Sequence, residues 1–154
     1  MVIETVLKVK NIILPNAAAP AANYVPYVIH QNTVYISGQL PLGIGELKEY
    51  VGVVGKDVSV EKAKEVARIC GLNVIAQLRN ACDGDLNRVE RCIRLGVFVN
   101  SASDFTEHPA VANGASDLMV EVFGEKGKHA RATVGVSQLP RGAAVEVEAV
   151  FSIK

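Results

Sequence analysis

Arg131 opens a run of small and apolar residues, Ala132-Thr133-Val134-Gly135-Val136, whose composition suits a strand. A guanidinium there offers paired donors that match a carboxylate, so the position can act as an anion clamp. It can equally be an exposed arginine at a strand start, or an ion-pair partner for Glu146 or Glu148. Those two glutamates stand two residues apart and so share one face of a strand. Such a pair is often a solvated face, but a carboxylate sharing a site with an arginine can also activate a water as general base. Tyr24 and Tyr27 flank Val25-Pro26; each is either a packing residue at a strand end or a hydroxyl aimed into a pocket. Ser37-Gly38 is either a tight turn or a point where backbone N–H groups meet a ligand.

Other residue types offer less. His30, His108 and His129 are far apart and lack metal-ligand spacing. No glycine-rich phosphate loop, nucleophile elbow or Cys–His signature is present. Cys70 and Cys82 sit on or beside a helical stripe and read as core residues. No metal site is expected.

These residues must be positioned by a definite order of elements. Val2, Val6 and Val9 recur about one helical turn apart, predicting a short N-terminal helix over 2–10. The Pro-flanked segment from Pro15 to Ala22 reads as an extended connector. Residues 24–29 and 33–37 predict two strands joined by the turn His30-Gln31-Asn32. The glycine-rich stretch 42–55 carries either a strand near Tyr50–Val54 or a loop. Ser59 is placed to cap a helix reaching Ala81, because Ala63, Val66, Ala67, Cys70, Val74, Leu78 and Ala81 recur at three and four residues. Residues 88–99 predict a strand with Gly96 as a candidate bulge. Pro109 suits the first turn of a second helix reaching Phe123. Strands over 130–137 and 144–153 flank Leu139-Pro140-Arg141-Gly142 and are expected to form a closing hairpin. The alternation of helices and strands predicts an α+β layer, one mixed sheet with both long helices on a single face.

Composition narrows the classes. The 154 residues suit residues 1–19 as helix and connector and 20–154 as one domain. Lys+Arg and Asp+Glu each number 16, and aromatics are only 5%, which disfavours nucleic-acid binding by charge and base stacking. An apolar fraction of 49% hints that some surface is buried against another subunit. Three cysteines without C-x-x-C spacing argue against a disulfide framework, and no apolar run approaches the roughly 20 residues of a membrane span. A reduced, cytoplasmic protein is expected.

Three segments together resemble the Rid (YjgF-type) family, also labelled an endoribonuclease family. They are Asn23-Tyr24-Val25-Pro26-Tyr27 with Tyr35-Ile36-Ser37-Gly38-Gln39-Leu40-Pro41, then Gly96-Val97-Phe98-Val99-Asn100, then His129 to Glu148. The last keeps the family's arginine, Leu-Pro turn and Glu-x-Glu strand at the family's spacing. The resemblance implies a chorismate-mutase-like fold, a homotrimer with active sites between subunits, a small carboxylate-bearing substrate and no cofactor. It also implies hydrolysis of reactive 2-imino or 2-enamino acids to 2-keto acids and ammonia. By position, Arg131 matches the carboxylate-binding arginine and Glu146 the residue that handles water. Gly38 matches a backbone contact, Asn113 an asparagine near the site, and Tyr24, or Tyr27, the site tyrosine. Thr133 stands where the deaminases often have cysteine, and His129 where proline is common; the Thr133 backbone N–H remains a substrate contact. The alternative is a non-catalytic module sensing a small carboxylate in the same cleft, with ribonuclease activity a third reading.

Overall fold

The computed structural model describes residues 2–154. Three helices, α1 (Ile3–Val9), α2 (Val60–Ala81) and α3 (His108–Phe123), accompany five strands. The strands are β1 (Tyr27–His30), β2 (Thr33–Gln39), β3 (Val89–Asn100), β4 (Ala130–Val136) and β5 (Val145–Ile153). They form one mixed sheet in the order β1-β2-β5-β3-β4, giving the expected α+β architecture.

The closing hairpin does not form. β4 pairs parallel with β3 alone, and β5 runs antiparallel between β2 and β3. The unit β3–α3–β4 is therefore a parallel crossover, in which α3 carries the chain back across the sheet. The Leu-Pro turn then leads past β3 to the sheet centre. Local composition could not reveal this, because both arrangements use the same two strands and the same turn.

The α2 stripe is the source of much of the core. Ser59 Oγ accepts from Lys62 N–H at 3.1 Å, closing the helix start. Ala63, Val66, Ala67, Cys70, Val74, Leu78 and Ala81 are all buried. They face Val145, Val147, Ala149 and Phe151, the inward half of the β5 alternation. α2 lies over β2 and β5, and α3 over β3 and β4. The two helices approach closely because Gly114 has no side chain: a Cβ there would overlap the Lys64 carbonyl. α1 and Leu7 pack onto the same core, as does Ile12.

One further expectation changes, and one open alternative is resolved. Gly96 is regularly paired with Glu148 and Ala132; the ladder shifts lie instead between Val89 and Arg91 and between Cys92 and Arg94. Gly96 serves as clearance, since a Cβ would stand 2.8 Å from Glu148 Cγ. The 42–55 stretch is a loop with a 3-10 turn at Leu47–Tyr50 and only isolated bridges, Val51 to Ala143 and Val54 to Val58 and Ser101. Among the described residues no helix is long and apolar enough to cross a membrane.

Candidate active site in two halves

β4 is an edge strand, and its first residues meet α3. Arg131 lies in register with Leu95, which pairs with Ala149, so all three share the helix-covered face. There Arg131 Nη1 donates to Asn113 Oδ1 at 2.8 Å and to Ser116 Oγ at 3.0 Å. Asn113 and Ser116 are one helical turn apart and so present one surface of α3. Both acceptors are neutral, and the guanidinium pairs with no carboxylate among the described residues. Nη1 is spent on the protein, whereas Nε and Nη2 donate to nothing among those residues. That free edge is the one that can take a carboxylate side-on with two parallel bonds.

Thr133, two residues along β4, follows Arg131 on the same face, in register with Val97. Its Oγ1 is buried without a hydrogen-bond partner. His129 precedes the strand. Its Nδ1 lies 2.6 Å from the Gly127 carbonyl and its Nε2 2.8 Å from Ser116 Oγ. Ser116 belongs to no motif in the sequence; its spacing of three from Asn113 is the one signal that marks it.

The second half lies elsewhere. Glu146 pairs in register with Phe98, on the helix-free face of the sheet. Its neighbour Glu148 is committed to Arg94, with Nη1 to Oε2 at 3.2 Å. Glu146 has no such cation among the described residues. Burial first, and the charge of Glu148 second, push its carboxyl above the usual carboxylate range. The β2–β5 register shifts between Ile36 and Gln39, which brings Gly38 against Glu146. A Cβ on Gly38 would stand 2.8 Å from Glu146 Oε2.

Gly38 also lines a cavity of about 310 Å³ with Tyr24, Pro26, Leu40, Pro140 and Ala18. The connector wall of that cavity is fixed by the buried Gln77, which donates to the Ala18 carbonyl at 2.8 Å. Tyr24 is about half exposed at this cavity, whereas Tyr27 packs against the core. The structure thus sets Gly38 against Glu146 and at the cavity that Tyr24 also lines, and gathers Arg131, Asn113 and Thr133 elsewhere. Glu146 and Arg131 occupy opposite faces of the sheet. No three His, Cys, Asp or Glu side chains among the described residues converge as a metal site. The three cysteines are unpaired and buried, and burial pushes the Cys92 thiol up to about 12.

A sequence profile described as "YjgF/chorismate_mutase-like, putative endoribonuclease" matches residues 4–149, and the chain belongs to this family. Protein TCP17 of Trypanosoma cruzi is 51% identical over 91% of this chain and 87% of its own length. A 2-iminobutanoate/2-iminopropanoate deaminase of Dermatophagoides farinae is 25% identical over 91% of this chain and 93% of its own. Among solved structures, a protein of unknown function from Agrobacterium tumefaciens superposes with a TM-score of 0.90 at 45% identity, covering 99% of this chain and 94% of that one.

Proposed function

We propose that the protein hydrolyses 2-imino and 2-enamino acids to 2-keto acids and ammonia, in sites shared between copies of a homotrimer in the cytoplasm. The observation that carries this reading is the Arg131 guanidinium, held by Asn113 and Ser116 with one edge free and no carboxylate opposite. The deaminase name of the Dermatophagoides relative agrees with it.

In this mechanism the free edge of Arg131 binds the substrate carboxylate and fixes the adjacent C=N carbon. Glu146 of a neighbouring copy takes a proton from water as the water oxygen bonds to that carbon, and passes it to the imine nitrogen. As the carbinolamine collapses to the ketone, its hydroxyl proton passes by way of Glu146 to the nitrogen, the C–N bond breaks and ammonia leaves. The raised Glu146 carboxyl suits a base that must later return its proton. Tyr24 and the Gly38 backbone border the same side, and the Thr133 N–H adds a contact on the arginine side. The helix-free face, with Tyr35, Val28 and Val134 exposed, is apolar enough to bury against another copy.

The test is release of keto acid from an imino acid generated by an amino-acid oxidase. Arg131→Ala should lower the rate by about 10²-fold or more, as expected when an oriented anion clamp is lost. Wild-type rates in Arg131→Ala would overturn the reading. Binding of a small carboxylate that needs Arg131, with no turnover by the intact protein, would favour the sensing module.

A further inference from the structure

The cleft beside Arg131 also contains a base, His129, that imine hydrolysis does not use, set against the Ser116 hydroxyl that holds the arginine. We propose that Ser116 and His129 form a nucleophile–base pair, giving the protein a second activity: acyl transfer to water from small activated esters.

The Gly127 carbonyl can only accept a hydrogen bond, so the neutral His129 ring carries its proton on Nδ1, 2.6 Å away. That tautomer leaves Nε2 as an acceptor, 2.8 Å from Ser116 Oγ. The serine hydroxyl therefore donates to His129 and accepts from Arg131 Nη1 at 3.0 Å. A hydroxyl between a base and a fixed cation is doubly activated: the base removes its proton and the cation stabilises the alkoxide. The backbone carbonyl fixes the imidazole as a third group must in any such arrangement. These residues line an open cleft of about 270 Å³, with Val120 as its apolar wall, which suits a short acyl chain.

The chemistry balances with water as the only co-reactant. Ser116 Oγ bonds to the acyl carbon as its proton passes to His129 Nε2, and the oxyanion faces the free edge of Arg131. Collapse breaks the bond to the alkoxide, which leaves with the His129 proton. A water then attacks the acyl-serine, giving its proton to His129, and releases the carboxylic acid and the free hydroxyl. The other serine–histidine contact lacks this construction. Ser101 Oγ and His108 Nε2 are 3.3 Å apart, and among the described residues no acceptor fixes His108 Nδ1.

The experiment uses the full chain with an alkyl fluorophosphonate, followed by peptide mass analysis, and with p-nitrophenyl acetate. The expected result is a single phosphonyl adduct on Ser116. It should disappear in Ser116→Ala and form roughly 10²-fold more slowly in His129→Gln, which keeps an acceptor but not a base. Thermal melting of each variant shows that it is folded. Labelling at Ser101 or Ser137, no labelling at all, or wild-type labelling in folded His129→Gln would overturn the proposal.

Discussion

Arg131 and Glu146 lie on opposite faces of the sheet: the first shares the helix-covered row of Leu95 and Ala149, the second the open row of Phe98. One chain therefore cannot bring the guanidinium and the carboxylate to one substrate. Any chemistry that needs both requires a second copy, with the helix-covered edge of one meeting the open face of another.

That relationship can be read by subunit mixing. Arg131→Ala and Glu146→Gln should each be nearly inactive on imino acids alone. Unfolded and refolded together at equal amounts, they should recover about a quarter of the wild-type sites, since each site then draws its two residues from neighbours at random. Absence of recovery in a mixture that reassembles would show that the two residues do not act across an interface.

Gly38 tests the other half. Alanine there brings a Cβ to within 2.8 Å of Glu146 Oε2, so the carboxylate must move. The flexible carboxylate can give way without unfolding the chain. The expected outcome for Gly38→Ala is a melting temperature close to wild type with imine turnover lower by roughly 10²-fold, the usual cost of displacing a reacting group by about 1 Å.

Glu146 links activity to pH and stability. Its folded carboxyl titrates above the ordinary carboxylate value, so the native state holds the proton more tightly than the unfolded chain. The associated stability is present below the unfolded pKa and is lost as pH rises through the folded one. Glu146→Gln should consequently melt higher than wild type at neutral pH, with the difference shrinking in acid. Imine turnover by wild type should rise across the same window as the base loses its proton, and the variant should lose that limb.

Helix contact sets a separate limit. A Cβ on Gly114 overlaps the Lys64 carbonyl, which is backbone and cannot swing aside. Gly114→Ala should force α3 away from α2 at a cost of about 1–3 kcal/mol, the range for overpacked cores. Urea midpoints measure this directly. Because Asn113 and Ser116 ride on the same helix, the variant should also weaken carboxylate binding.

Much of the fold was legible because it rests on local periodicity. The α2 stripe, the Ser59 cap and the β5 alternation each predict their element and its buried side, and the helices share one sheet face as expected. Strand order was not legible. Whether β4 and β5 pair depends on whether β3 inserts between them, a long-range choice that leaves no mark in the spacing of either strand. The site shows the same division. Arg131 and Glu146 could be picked out by type and position, but their separation follows from the order β5-β3-β4. Ser116 and the Gln77 tether were missed because each is a polar residue whose value comes from a partner distant in sequence: His129, 13 residues away, and Ala18, 59 away.

The place of β4 at the sheet margin has a cost for the cell. One side of this strand is hydrogen-bonded to β3, and the other borders no strand among the described residues. Beside it lies an open face bearing Val134. A single folded copy thus offers a free backbone ladder next to apolar surface, the combination that templates aggregation. Substitutions that leave this edge more open should therefore be noticed first as lost yield and inclusion bodies, before any catalytic defect can be measured.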